Sequence, residues 1–408
     1  MSIELTIPLV LALDDASATL ERVGGKGASL ARLVSAGLPV PPGFHITTAA
    51  YRRFVTENGL QEQILAAVSI VAVDKPATLE EASERIATLF AQSAMPDDIA
   101  DAIRRAYAEL GGDELPVAVR SSATAEDLPE MSFAGQQETY LNMRGDAMVL
   151  DAVKRCWASL WTARAIGYRA RHNIAPQDVS LAVVVQALVP ADAAGILFTA
   201  NPLTGACDQV MINAAWGLGE AIVGGQVTPD TVLVDKTSET IMEQQISEKD
   251  VMTVRTHEGT HEEPVPADRR TKAVLSPAQA TELTRVGAQI EHLYGQPMDI
   301  EWALQDGDVF VVQARPITAL PDAQRASESL PTVQAEAWKL PNPRGKYTRN
   351  SVIELLPDPL TPLFETLGLP AVARATKEIM EEVRIGSVFA GDVFVAINDY
   401  AYYDLSFT

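Results

Sequence analysis

Cysteine is nearly absent. The chain of 408 residues holds two, Cys156 and Cys207, too few for a disulfide framework and in no metal-type spacing, so a reducing, cytoplasmic setting is expected. Long apolar runs are also missing. The stretch from Leu5 to Leu13 follows Glu4 with no Lys or Arg before it and is too short to span a bilayer, so export is not indicated. Basic residues are scarce, 32 Lys and Arg against 54 Asp and Glu, for a net charge of −22. That balance excludes nucleic acid or an anionic membrane as the main partner, because both need a basic face. Its plain reading is solubility, yet it gives weight to the few basic residues in glycine-rich or strand contexts. Apolar residues are plentiful at 47%, enough to bury two or three cores, so a multidomain protein is expected and disorder is not.

Read along its length, the chain is α+β without an internal repeat. After Gly24-Gly25-Lys26-Gly27, the spacing of Leu30, Leu33 and Val34 predicts a helix that Gly37 and Pro39 bring to an end. A glycine-rich loop would thus feed a helix N-terminus. Phe44 to Ile46 reads as a strand, and Thr48 as the cap of a helix with the face Tyr51, Phe54 and Val55, stopped by Gly59. Thr78 with Glu81 makes a capping box, and Ile99, Ile103, Tyr107 and Leu110 line a further helix ended by Gly111-Gly112. From Leu115 strands take over: Val117 to Arg120, then a polar loop and Phe133-Ala134-Gly135-Gln136, then a strand around Glu138 to Asn142.

Asp146 opens a helix in which Val149, Val153, Cys156, Leu160 and Ala163 recur, which makes Cys156 a small core residue rather than a nucleophile. Val179 to Val189, interrupted only by Gln186, has the look of a strand buried on both faces. Ile196 to Thr199, Val210 to Asn213 and Val232 to Asp235 add strands. Residues 320–345, rich in Pro, Ser, Ala and charge, read as a linker. The segments are then 1–114 with the Gly-Gly-Lys-Gly loop, 115–319, the linker, and an incomplete second domain over 346–408.

One hairpin carries chemistry. Ile300, Trp302 and Leu304 alternate with Asp299 and Glu301, while Phe310, Val312 and Ala314 alternate with Gln313 and Arg315, around the turn Asp306-Gly307-Asp308. Polar meets polar only if the loop length is odd, so a three-residue loop is predicted, setting Glu301 opposite Gln313 and Asp299 opposite Arg315. Phe310 and Val312 would join the core face. Two carboxylates and an amide oxygen are hard ligands of the kind Mg²⁺ takes, and Arg315 can hold a phosphate bidentately. A solvated face with a surface ion pair is the plainer alternative.

The Gly24 to Gly27 stretch is not a Walker A motif, since Gly27 follows the lysine where Ser or Thr is required. Its glycines still let backbone N–H groups approach a phosphate, and Lys26 adds a point charge, although a surface turn would look the same. Arg120 ends a strand and meets Ser121-Ser122-Ala123-Thr124, followed by Glu126 and Asp127. Gln186, in a buried strand, needs partners for its amide, either an adenine edge or neighbouring backbone. Glu220, among glycines, suits a metal, a ribose or plain solvent.

Together these stretches resemble the nucleotide-binding half of the phosphoenolpyruvate synthase and pyruvate phosphate dikinase family, over about residues 20 to 318. The matching strings are Val23-Gly24-Gly25-Lys26-Gly27-Ala28-Ser29-Leu30, Val40-Pro41-Pro42-Gly43-Phe44, Val119 to Asp127, Phe133 to Gln136, Asn213 to Glu220 with its Trp216-Gly217-Leu218-Gly219, and Gln313-Ala314-Arg315-Pro316. The resemblance implies an ATP-grasp fold and a phosphotransferase that cleaves Mg²⁺-ATP to AMP by passing phosphate to a histidine on a swivelling domain. It implies ATP contacts from Gly25, Lys26, Arg120, Gln186, Glu220, Gln313 and Arg315, with Asp299, Glu301 and Gln313 as metal ligands. Lys26, Arg120 and Arg315 would be the residues acting on the phosphates.

The five histidines, His45, His172, His257, His261 and His292, all lie within the nucleotide-binding region, and none sits in the family's phosphohistidine context. The expectation is a module that needs a histidine domain in trans, or one carried beyond this sequence, with a small-molecule acceptor such as pyruvate, a rifamycin-like hydroxyl or a phenol. A non-catalytic ATP sensor or scaffold subunit is the alternative. Past Asn350, Glu354-Leu355-Leu356-Pro357-Asp358-Pro359-Leu360 is similar to the start of the middle domain of rifampin phosphotransferase-like members, and Tyr400-Ala401-Tyr402-Tyr403 has no capping signal, which suggests a truncated or split product.

Overall fold

In the computed structural model the described residues are 8–321, apart from 73–74, 113, 125–137, 173, 224, 226, 257–258 and 319, together with 347–348, 369–374, 394–397 and 400–404. They fall into two units, Met1–Ala326 and Ser327–Thr408. The motif Phe133 to Gln136, Glu126, Asp127, His257 and nearly all of the 320–345 stretch lie outside the described residues.

The first unit is mixed α/β and holds two antiparallel sheets. One is built from β1 (Val10–Ala12), β2 (Gly43–Ile46), β3 (Val117–Ala123), β4 (Thr139–Met143) and β5 (Leu181–Ala187), in the order β1-β2-β5-β3-β4. Strands from either side of Leu115 therefore share one sheet. The sheet sorts its residues by the two-residue period of a strand. Phe44, Ile46, Val117, Val119, Val183 and Val185 join a core with α2 (Thr48–Glu57), α3 (Leu60–Ser69), α4 (Pro76–Gln92), α5 (Asp97–Leu110) and α6 (Gly145–Ser159). The alternate residues His45, Arg120, Ser122, Val184 and Gln186 are buried on the opposite face.

That opposite face receives α1 (Leu20–Ser35), whose Leu30 and Leu33 belong, with Val184, to a second core. The second core lies on the other sheet, ordered β13-β12-β6-β7-β8-β9. Its strands are β6 (Ala193–Phe198), β7 (Gln209–Trp216), β8 (Asp230–Asp235), β9 (Ile241–Gln245), β12 (Met298–Gln305) and β13 (Asp308–Pro316). The ribbon β10 (Val251–Arg255) with β11 (Thr260–Pro264), the short α8 (Glu220–Val223), α7 (Ala163–Arg171) and α9 (Pro277–Tyr294) complete the unit. Ser29 on α1 donates to the Ala314 carbonyl of β13 at 2.7 Å, tying the helix to the second sheet.

β8 starts on a buried ion pair. Oδ1 of Asp230 accepts from Lys249 Nζ and from the Ser247 N–H at 3.0 Å, and Oδ2 accepts from the Val274 N–H at 2.8 Å. Lys249 also donates to the Ser247 carbonyl at 2.8 Å, and its side chain is wholly buried. Every group is bonded, as a buried charge requires.

Three helix expectations need correction. Thr47, not Thr48, is the N-cap of α2, and the Thr48 hydroxyl instead donates to the Glu21 carbonyl at 2.8 Å. α4 starts at Pro76, where a proline is pre-shaped for a first turn, so Thr78 bonds back to Ala72 and Lys75 rather than forming a box with Glu81. The helix from Asp146 stops at Ser159, and Ala163 opens α7, capped by the Thr162 side chain. Leu160 and Ala163 are therefore off its face. Cys156 is buried as expected, and its thiol donates to the Val119 carbonyl.

In the second unit, Tyr400–Asp404 is the middle strand of a three-stranded antiparallel sheet with Tyr347–Thr348 and Phe394–Ile397. No helix among the described residues is long and apolar enough to cross a membrane.

Candidate functional site

A regular helix cannot run through Gly24, whose φ of 71° and ψ of 178° suit glycine alone. The glycines are thus a kink inside α1, not a loop ahead of it. β3 imposes the kink, because a Cβ on Gly24 would stand 2.2 Å from the Ser122 carbonyl oxygen. Ser122 then serves both sides of the break: its hydroxyl accepts from the Gly27 N–H at 3.0 Å and donates to the Val23 carbonyl at 2.7 Å. These are backbone groups that the kink takes out of the helical ladder. The helix resumes at Gly25, so half-buried Lys26 lies in its new first turn, beside the Gly27 N–H that bonds Ser122, and Ser122 is two strand positions from Arg120.

The β12–β13 hairpin differs from expectation in one respect that matters. Gln305 pairs Asp308, leaving a two-residue turn of Asp306 (φ 53°) and Gly307 (φ 97°), which matches strand twist. With a regular ladder this turn would put Glu301 and Gln313 on opposite faces. A β-bulge between Glu301 and Trp302 makes Val312 an extra residue and resets the register, so that Glu301 faces Gln313 and Asp299 faces Arg315 after all. On the core side Val309 and Val311 are buried, whereas Phe310 and Val312 are only half-buried, contrary to the predicted core set.

Arg120 reaches this hairpin from β3. Its Nη1 donates to the carbonyl of the bulged Val312 at 3.4 Å and to Gln313 Oε1 at 3.5 Å, and lies 3.6 Å from Glu301 Oε2. The residue is 8% exposed and its Nε has no partner among the described residues. A desolvated guanidinium with an N–H unspent can donate to a further acceptor. Next along the face, Arg315 donates to Asp299 Oδ2 through Nε at 2.9 Å and approaches it through Nη2 at 2.8 Å. Burial pushes the Asp299 carboxyl above the ordinary range and Glu301 adds to this, while Arg315 pulls the other way.

Asp299, Glu301 and the Gln313 amide oxygen share one sheet face, a donor set that suits Mg²⁺. Among the described residues no cluster of three His, Cys, Asp or Glu makes a self-sufficient metal centre.

Other predicted residues sit further away. Gln186 is buried on the Arg120 face of the first sheet, and its amide donates to the Pro41 carbonyl at 3.3 Å. Glu220 is exposed at the start of α8 and accepts from Thr260 at 3.0 Å. His45 is buried beneath the kink, with Nε2 3.2 Å from the Leu13 carbonyl, and burial lowers its pKa to about 4. It is therefore neutral near pH 7. Ser122 and the Val312 carbonyl, which hold the two halves of this site, were not singled out from the sequence. A Ser after Arg120 in a motif was visible, whereas a main-chain carbonyl leaves no sequence signal.

Comparison with known proteins shows the family. The family profile described as pyruvate phosphate dikinase, AMP/ATP-binding domain, matches residues 20–335. A probable phosphoenolpyruvate synthase of Methanothermobacter thermautotrophicus is 47% identical over 309 residues, covering 75% of this chain and 45% of that protein. The phosphoenolpyruvate synthase of Pyrococcus furiosus is 44% identical over 359 residues, covering 77% and 44%. A rifampicin phosphotransferase of Streptomyces sviceus is 45% identical over 299 residues, covering 73% and 34%. The chain spans less than half the length of each of these relatives.

Proposed function

Since the chain belongs to the pyruvate phosphate dikinase AMP/ATP-binding family, we propose that it is the ATP-grasp, Mg²⁺-ATP-cleaving module of a dikinase-type phosphotransferase. The observation that carries this reading is the convergence of Arg120 from one sheet, the Glu301–Gln313 and Asp299–Arg315 pairs from the other, and the Lys26 kink between them. Lys26, the Gly25 backbone and Arg120 bind the phosphates, Arg315 clamps a terminal phosphate, and Asp299, Glu301 and Gln313 hold the metal. Bound Mg²⁺ would neutralise charge developing on the phosphate oxygens. Gln186 lies toward the adenine and Glu220 toward the ribose.

A histidine on a separate swivelling domain or subunit would take the β,γ-pyrophosphoryl group as the α–β bond breaks and AMP leaves. Transfer of the γ-phosphoryl group to water or to inorganic phosphate then leaves the β-phosphoryl group on the histidine, which carries it to the acceptor. Pyruvate is the acceptor favoured by the phosphoenolpyruvate synthase relatives, and a rifamycin-like or phenolic hydroxyl is the alternative. Two free cysteines and a strongly acidic chain fit a cytoplasmic enzyme.

Radiolabelled Mg²⁺-ATP tests the reading. AMP and a labelled partner are expected only when a histidine domain of the family is added; ATP bound without turnover in either tube would leave a nucleotide sensor instead. The kink supplies a second test. Ser122→Ala removes two hydrogen bonds, each contributing about 0.5–1.5 kcal/mol net, so ATP affinity should fall about tenfold while Ser122→Thr retains most of it. Equal affinity of all three proteins in calorimetry would show that the kink does not shape the phosphate site.

A further inference from the structure

Apart from the phosphate cluster, the geometry points to a second binding site, a cavity beside β10 that takes a small organic anion with an apolar body and a phosphate or carboxylate head. The cavity measures about 500 Å³, within the size range of small-molecule pockets. Pro190, Leu218 and Val254 supply apolar wall, and Arg144 and Arg255 supply two cations. Among the described residues no carboxylate lines it.

The two guanidinium groups sense each other. Arg255 has its pKa lowered first by burial and then by the charge of Arg144, and neither forms an ion pair among the described residues. Like charges drawn together cost free energy unless an anion joins them. A planar guanidinium pair suits the several oxygens of a phosphate or carboxylate.

The walls are fixed before any ligand arrives. Asn142, at a φ of 58°, donates to the carbonyls of Thr256 at 2.7 Å and Gly259 at 2.6 Å, and its Oδ1 accepts from Arg144 Nε at 3.3 Å. One side chain thereby aims Arg144 and pins the β10–β11 turn. Across the cavity, the Leu218 N–H donates to the Thr253 carbonyl at 2.9 Å, and a Cβ on Gly217 would come within 2.4 Å of the same oxygen. A pre-shaped pocket loses less ordering entropy on binding.

None of its lining residues is among those assigned to ATP above.

Phenyl phosphate is the probe, titrated calorimetrically into the full chain, with phenol and inorganic phosphate as its two halves and benzoate to separate carboxylate from phosphate heads. Phenyl phosphate or benzoate should bind at least tenfold tighter than either half. Arg144→Gln/Arg255→Gln should weaken binding tenfold or more, and Arg255→Gln alone should weaken it severalfold, with the thermal midpoint of each variant measured alongside to register any loss of fold. Saturating ATP and Arg120→Ala should leave it unchanged. No binding by the wild type, binding indifferent to the arginine variants, or binding abolished by ATP would each overturn the assignment.

Discussion

Arg120→Ala is expected to lower Mg²⁺-ATP affinity by about 100-fold. A hydrogen bond to a charged group contributes about 1.5–3 kcal/mol net, and 3 kcal/mol corresponds to about two orders of magnitude. Arg120 has the features that place it at the upper end: it is nearly buried, and it is braced by a carbonyl, an amide and a carboxylate from the facing hairpin. Its loss also leaves Glu301 without its cation, so that an anionic ligand would approach an uncompensated carboxylate. Arg120→Lys should recover only part of the affinity, because a single ammonium nitrogen engaged by the hairpin acceptors lacks the separate Nε–H that the guanidinium keeps available. Titration with a non-hydrolysable ATP analogue measures this directly. An affinity within threefold of wild type for Arg120→Ala would remove the residue from the site.

The second large effect is on stability. Lys249→Met is expected to cost about 3–5 kcal/mol, since it strands the Asp230 carboxylate in the second core without its counter-charge. Adding Asp230→Leu should restore part of the loss by removing the stranded charge. Recovery should be incomplete, because the N–H groups of Ser247 and Val274 then lose their acceptor. Chemical denaturation of the three proteins provides the values. A Lys249→Met penalty below about 1 kcal/mol would mean that water or a neighbouring group takes the place of the ammonium.

The hairpin shows how much of this site is legible in the sequence, and by what route. Alternating polarity led to the correct pairs, Asp299 with Arg315 and Glu301 with Gln313, through a turn that the chain does not make. Asp306-Gly307 prefers the two-residue turn for local backbone reasons, and the carbonyl of the compensating bulge is met by Arg120, which arrives from β3. A tertiary partner of that kind cannot be read from a local pattern. The same holds for Gly24, where the glycine is visible and the Ser122 backbone that requires it is not.

Other misses had a local signal. α9 opens on a capping box of Ser276 and Gln279 with Pro277 at its first position, while Thr78 with Glu81 has the same spelling and caps nothing. The spelling is therefore necessary for a box but does not establish one. Gln186 was ambiguous between an adenine edge and backbone, and in the unliganded chain it bonds backbone.

The bulge also has a genetic side. Without Val312 the ladder would close with the same partners, Glu301 still facing Gln313 and Trp302 still facing Val311. What would disappear is the out-of-ladder carbonyl that receives Arg120. Val312 thus has the form of a one-codon insertion, a length change small enough to arise in a single event, that turns a plain hairpin into a cradle for a guanidinium.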